Sequence, residues 1–394
     1  MNLLEKTFLE KYLEKFDAVP FSVTTKEGEH FLIGEGEPEF EVILNDSIPK
    51  AELLKSTSLA LGEAYMNKTL EIKGDLYTAL DHFLSQMEKF TTDHHILKNI
   101  LHPSNSAKKQ KEEIHYHYDI GNDFYSLWLD ETMSYSCGYF KNETDTLYDA
   151  QVNKVHHILT KLNLKQGMSL LDIGCGWGFL LIEAAKKYKI KGVGITLSEE
   201  QAKKFQERIK EEHLENQLTV KIMDYRDLQK SNMTFDRVVS VGMLEHVGRE
   251  HYNLFMKNVN AVLNKQGVFL LHYISGLKES PGDAWIKKYI FPGGVIPSLR
   301  EIVSLCADYD FHILDIESLR RHYNKTLLCW NKNFQEHKQE ITKMFDEKFV
   351  RMWELYLCSC AASFHNGVVD VHQLLLTKGV NNNLPMTRTY IYKE

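Results

Sequence analysis

The segment Leu170-Leu171-Asp172-Ile173-Gly174-Cys175-Gly176-Trp177-Gly178 places three glycines at alternate positions between a short apolar run and a helical stretch. Gly174 and Gly176 let the backbone turn tightly and approach a ligand with no Cβ in the way. The spacing is GxGxG, not the GxGxxG of pyrophosphate-binding loops, and no Walker lysine follows. S-adenosylmethionine (AdoMet), which carries no phosphate, fits such a loop better than a dinucleotide does. Asp172 can order the loop or attract the ammonium group of the ligand, and Cys175 lies within the loop. After the next apolar run, Thr196 stands where many AdoMet-binding proteins carry an acid for the ribose hydroxyls. Ribose recognition is therefore expected from elsewhere, from Gln201, while Thr196 and Leu197 are expected among the cofactor-binding residues. The third run ends at Met223-Asp224-Tyr225-Arg226, which is placed to border the adenine.

These residues need a scaffold, and the chain supplies one. Short apolar runs at 169–173, 192–196, 218–223, 237–241 and 268–272 alternate with helical stretches rich in Glu, Lys, Ala and Leu. That alternation predicts a parallel sheet covered on both faces. Runs at 311–316 and 387–392 are expected to complete a seven-stranded, Rossmann-like α/β sheet of the AdoMet-dependent methyltransferase type, the last strand antiparallel. Before it, strands at 21–24, 31–33 and 40–44 and helices near 50–64 and 75–90 predict a smaller α+β domain. Periodicity stops around His102-Pro103-Ser104-Asn105. The expected division is thus an N-terminal domain at 1–101, a linker at 102–114 and a catalytic domain at 115–394.

Composition narrows the function classes. The 394 residues are 43% hydrophobic and 26% charged, an ordinary globular balance. With 47 Lys+Arg against 54 Asp+Glu, the net charge of −7 argues against nucleic acid as a partner. The six cysteines show no CxxC pair and the histidines no HExxH, so neither a metal site nor a disulfide framework is expected. No stretch is apolar for the ~18 residues of a membrane span, and 1–16 lacks the apolar centre of a signal peptide. A cytoplasmic location follows as the expectation.

Two further segments are specific. Tyr116-His117-Tyr118-Asp119-Ile120-Gly121-Asn122-Asp123-Phe124-Tyr125 leads into Met133-Ser134-Tyr135-Ser136-Cys137-Gly138-Tyr139-Phe140, and Val241-Gly242-Met243-Leu244-Glu245-His246-Val247-Gly248 follows the fourth run. With the glycine loop and the 194–201 segment, they make the chain resemble the cyclopropane-fatty-acyl-phospholipid synthases, the family that also includes the mycolic acid cyclopropane synthases. The resemblance covers the region from about 115 to the C-terminus. The N-terminal unit looks like that of the bacterial phospholipid enzymes. Gly138 departs from the family, which often has Ala there; only a local backbone effect is expected.

The resemblance implies that an acyl-chain alkene attacks the AdoMet methyl, giving a carbocation whose added methyl loses a proton as the ring closes. It implies a bound bicarbonate ion as the base, held at Cys137, Glu245, His272, Ile274 and Tyr323. It also places Tyr135 and Ser136 at the cofactor. The set is chemically coherent: Tyr323 and His272 can donate to the anion, backbone amides near Cys137 and Ile274 can add donors, and Glu245 can accept its proton. Tyr135, Tyr139 and Tyr323 can flank a cation.

The stretch 283–297, with Trp285, Lys287, Lys288, Tyr289 and Phe291, reads as a lid, within an insertion near 275–300, that meets phospholipid headgroups and lines the acyl path. Helices near 333–356 and the 364–377 segment are expected as core or tunnel wall. The implied partners are unsaturated acyl chains and the bilayer surface, reached peripherally from the inner face, in part through the amphipathic 1–16 segment; a homodimer is also expected. Two other readings stay open. An amine N-methyltransferase would need no bicarbonate set, and a non-catalytic lipid or AdoMet sensor would have no use for a base.

Overall fold

The computed structural model describes residues 13–86 and 120–392. The first helix at 1–16, apart from its last residues, the linker, and the Tyr116–Asp119 part of the sequence motif lie outside them. Two compact units divide the described chain. The first holds 13–86 together with 283–290 and 327–368, and the second holds 120–282, 291–326 and 369–392.

The first unit is built on a four-stranded sheet of order β2-β1-β3-β4, with β1 Phe21–Thr24, β2 His30–Ile33, β3 Phe40–Leu44 and β4 Leu70–Lys73. Phe16, Phe21, Val23, Phe40, Val42 and Ala79 fill its core, and the rings of Phe21 and Phe40 stack at 5.1 Å. The short helix Ala284–Tyr289 packs on the helix Thr57–Met66 of this unit. Trp285 lies in the notch that Gly62 leaves open, where any Cβ would stand 2.3 Å from the indole. The Trp285 indole N–H points at the Met66 sulfur at 3.3 Å. Lys288 and the Tyr289 hydroxyl both bond the Glu63 carboxylate, at 2.5 and 2.7 Å. The stretch expected as a lid is therefore divided. Its 283–290 part belongs to the first unit, with Trp285 buried and Lys288 bound to Glu63.

The second unit carries a seven-stranded sheet of order β10-β11-β9-β8-β5-β6-β7. Its strands are β5 Ser169–Ile173, β6 Lys191–Thr196, β7 Leu218–Ile222, β8 Phe235–Val241, β9 Leu263–Gly276, β10 Phe311–Ser318 and β11 Val369–Lys378. β5 to β9 run parallel, and β11 lies antiparallel between β9 and β10. One apolar layer, including Leu271, Tyr273, Phe255 and Leu374, covers one face. Another, including Leu270, Leu181, Phe205 and Leu375, covers the other. Burial on both faces explains why the central strands read as continuous apolar runs.

Two sequence expectations give way here. The closing antiparallel strand is 369–378, not 387–392; the latter segment forms a short helix, Thr389–Tyr392. Leu374, Leu375 and Leu376 are all buried, so β11 lacks the alternation that marks a half-exposed strand. The helix expected at 333–356 is three helices, Arg320–Glu336, Lys338–Met344 and Glu347–His365. Asp346 starts the third by accepting the Phe349 N–H at 2.7 Å, with Phe345 extended before it.

Candidate active site

The strand order reverses around β5, whose neighbours are β6 and β8, so a crevice opens beyond the carboxyl ends of these strands. The glycine loop occupies it. The N–H groups of Gly174 and Cys175 both donate to the Ile195 carbonyl, at 2.9 and 3.1 Å. Gly174 has φ +82°, and a Cβ there would come within 2.8 Å of Met243. Gly178 has φ +84° and starts the helix Phe179–Tyr188, pressed so closely on Phe205 that a Cβ would fall 2.0 Å from its ring. Local sequence thus provides a floor of bare backbone.

Above this floor lies a cavity lined by 132–136, Lys154, 172–180, 195–197, Gln201, Met223, Tyr225, 241–243 and His246. It gathers ten of the expected cofactor residues: Tyr135, Ser136, Asp172, Gly174, Cys175, Gly176, Thr196, Leu197, Gln201 and Tyr225. Thr196 donates to the Gln201 amide oxygen at 2.9 Å, which fixes the one polar side chain expected at the ribose. Asp224 and Arg226 do not line the cavity. The Asp224 carboxylate turns back to accept the Arg226 N–H at 2.9 Å and faces its guanidinium at 3.8 Å, so this pair caps the turn, and of the three residues only Tyr225 lines the cavity.

Sequence reasoning missed the supports of the 132–136 wall. They lie on the helices Leu147–Lys161 and Glu199–Glu211, outside every recognised motif. The Gln151 amide donates to the carbonyls of Ser136 and Ser134 at 2.9 and 3.3 Å. One turn later, Lys154 donates to the Ser136 hydroxyl at 2.8 Å. Arg208 bonds the carbonyls of Thr132 and Trp177 at 3.3 and 3.2 Å. Spacing gave one usable signal, since Gln151 and Lys154 are polar residues on the face of an amphipathic helix that also carries Val155 and Ile158.

The electrostatics are those of a desolvated site. Asp172 is buried with Oδ1 unpartnered. Burial pushes its carboxyl up to about 7, and Lys154 counteracts this only in part. Burial lowers the Lys154 ammonium to about 8 against the pull of Asp130, Cys137 and Asp172. His246, which also lines the cavity, falls to about 4 through burial and is neutral at physiological pH.

The five residues expected around an anion sit just beyond this cavity, joined by a chain of contacts. Glu245 lies in a 3₁₀ turn, Leu244–His246, after β8, and its Oε1 accepts the Ile274 N–H at 2.6 Å. Ile274 pairs with Val371, whose carbonyl accepts the Leu319 N–H at 2.9 Å. Leu319 in turn offers its carbonyl to the Cys137 thiol at 3.7 Å, and Tyr323 follows on the helix that Leu319 precedes. His272 lies two residues before Ile274, with Nδ1 at 3.2 Å from the Gln373 amide nitrogen.

The expected role of the Ile274 amide changes. Its N–H is occupied by Glu245, so it positions the carboxylate and is not a free donor to an anion. The other Glu245 oxygen is buried and unpartnered, and burial raises the carboxyl to about 7. Burial holds His272 down at about 3, hence neutral. The Cys137 thiol is pushed far up by burial and is no nucleophile. The segment after the first-unit helix closes over this corner. Val295 N–H donates to the Glu245 carbonyl at 3.0 Å, and Phe291 meets the His246 ring edge-on at 5.8 Å. At Gly138, a Cβ would stand 3.0 Å from Ala150 Cβ and 3.3 Å from the Thr326 hydroxyl, so an Ala here requires its neighbours to yield.

Comparison with known proteins settles the lineage. The family model for mycolic acid cyclopropane synthetase matches residues 105–374. The chain belongs to that family. Residues 8–95 match a domain of unknown function, DUF7884. The chain is 39% identical over 347 residues to the cyclopropane-fatty-acyl-phospholipid synthase of Escherichia coli K12, covering 85% of this chain and 87% of that protein. It is 35% identical over 387 residues to a probable fatty acid methyltransferase of Pseudomonas putida, covering 95% of this chain and 97% of that protein. The crystal structure of the mycolic acid cyclopropane synthase CmaA1, complexed with SAH and CTAB, superposes with a TM-score of 0.64 at 34% identity, over 68% of this chain and 98% of that one. The family's enzymes are AdoMet-dependent, and the site accommodates that cofactor. The bare glycine floor admits close contact, and the unpartnered Asp172 oxygen awaits a donor such as the α-ammonium.

Proposed function

We propose that this family member forms cyclopropane rings at cis double bonds in the unsaturated acyl chains of phospholipids, with a bicarbonate ion as the base. The observation that carries the reading is the unpartnered Oε2 of Glu245, buried at the carboxyl edge of the sheet beside the cofactor cavity. A lone buried carboxylate is costly to hold, so its retention next to a methyl-transfer site fits a proton-handling role.

AdoMet, when bound, supplies an electrophilic methyl group; bicarbonate, when bound, supplies a base inside an apolar pocket. The protein's own residues do the rest. Glu245, close to half-protonated at neutral pH, can take the anion's proton through Oε2 while Ile274 N–H fixes Oε1. Neutral His272 and the Tyr323 hydroxyl can donate hydrogen bonds without adding charge. Cys137 contributes a buried wall, and Tyr135, which lines the cavity, is the aromatic ring for developing positive charge; Tyr139, expected beside it, is instead stacked on His157 and His322 at 4.3 and 4.7 Å. Asp172 attracts the cofactor's ammonium and Gln201 its ribose.

The phospholipid substrate is supported by the 39% identity to the Escherichia coli enzyme, whose match extends over 85% of this chain. No described helix is long and apolar enough to cross a membrane; in this reading the phospholipid is met peripherally, at a bilayer surface. The test of the base is bicarbonate depletion. Turnover on monounsaturated phospholipid vesicles should fall in bicarbonate-free buffer and recover on titration with bicarbonate. Turnover indifferent to depletion would remove the ion from the mechanism.

A further inference from the structure

Lys154 is a buried ammonium, 3% exposed, on the cavity face of the helix Leu147–Lys161. Its hydrogen bond is to the neutral hydroxyl of Ser136, while Asp130 and Asp172 act on it through their charge and not through a hydrogen bond. A buried cation without a hydrogen-bonded counter-ion is costly. The task of holding the 132–136 wall does not require it, because Gln151 already bonds the Ser136 and Ser134 carbonyls. A neutral donor would serve Ser136 equally well at smaller desolvation cost. Across the same cavity, Asp172 presents the opposite case, a buried carboxyl oxygen with no donor. The cavity therefore holds one cation and one acid that feel each other's charge but have no hydrogen-bonded charge partner. The amino-acid end of AdoMet is a zwitterion with the complementary pair of charges.

We propose that Lys154 binds the α-carboxylate of AdoMet and of the S-adenosylhomocysteine product, so that the Lys154–Asp172 pair reads the zwitterion. The inference rests on the AdoMet reading of the cavity. It makes Lys154 the residue that selects the complete amino-acid tail, where the glycine floor and Tyr225 recognise the nucleoside. Its two remaining N–H groups are the donors that a carboxylate needs.

Calorimetry with the full chain tests this through three ligands: S-adenosylhomocysteine, its decarboxylated analogue, and 5′-methylthioadenosine, which lacks the amino-acid tail. The wild type should prefer S-adenosylhomocysteine to the decarboxylated analogue by roughly 10–100-fold, the range for hydrogen bonds between charged groups. Lys154→Met should erase that preference and leave 5′-methylthioadenosine affinity within about twofold of wild type. Lys154→Gln, which keeps a donor for Ser136, should behave as Lys154→Met does. Equal losses for all three ligands would mean that Lys154 only shapes the wall, and would overturn the proposal. So would a preference that survives in either variant. Should neither variant fold, the wild type still decides, since no preference for the carboxylated ligand refutes the assignment. Failure of the wild type to bind S-adenosylhomocysteine at all would instead overturn the cofactor reading beneath it.

Discussion

Replacing Glu245 with Gln separates the energetics of the buried acid from its chemistry. Burial moves its carboxyl from an ordinary 4.5 to about 7. At about 1.4 kcal/mol for each tenfold change in proton affinity, ionising Glu245 in the folded protein costs on the order of 3 kcal/mol. Between these two values the folded state holds a proton that the unfolded state has released, so stability falls as pH rises through this window and levels off above about 7. Below 4.5 both states are protonated and the penalty vanishes. Gln keeps an oxygen to accept the Ile274 N–H and never ionises. Urea unfolding of wild type and Glu245→Gln across this range should therefore show the stability difference moving toward the variant by about 3 kcal/mol. Turnover should move the other way, falling roughly 100-fold or more as a general acid–base group is lost, with S-adenosylhomocysteine affinity within about twofold of wild type. A stability difference independent of pH, or unimpaired turnover in the variant, would refute the reasoning.

Asp172 should make S-adenosylhomocysteine binding tighten as pH rises through about 7, where its carboxyl ionises; calorimetry should show that rise in wild type and its loss in Asp172→Asn. Gly178→Ala must fit a Cβ 2.0 Å from the Phe205 ring at φ +84°, so thermal unfolding should report destabilisation of roughly 1–3 kcal/mol or more. Trp285→Ala empties the notch beside Gly62 and Met66 and should lower stability by roughly 3–5 kcal/mol in the same assay.

The lining of the glycine-loop cavity was legible because it is local. The glycine loop, Thr196–Gln201 and Tyr225 each follow a strand within a few residues, and alternating apolar runs announce those strands. Beyond the polar positions of Gln151 and Lys154 on an amphipathic helix, the roles of Lys154, Gln151 and Arg208 were not legible, since their partners are backbone carbonyls or a hydroxyl distant in sequence. Asp224 and Arg226 have the right types at the right strand end, and only geometry shows them bonded to each other. That 283–290 and 327–368 join the first unit was not legible for a related reason. The first unit is assembled from segments as far apart as Gly62, Trp285 and Arg351, the last bonding the Tyr65 carbonyl at 2.7 Å. Composition along the chain cannot register such assembly. It also means that deleting everything before the linker would strip 283–290 and 327–368 of their packing partners, so docking at membranes is better probed by point substitutions in the full chain.

The central claim is that an added methyl loses a proton as a ring closes across an acyl double bond. AdoMet carrying a fully deuterated methyl group, incubated with the protein and monounsaturated phospholipid vesicles, tests it by mass spectrometry of the acyl methyl esters. The account predicts products that have lost the double bond and retain two of the three deuterons within a cyclopropane. Retention of all three, as in simple methylation, or acyl chains left unchanged, would contradict it.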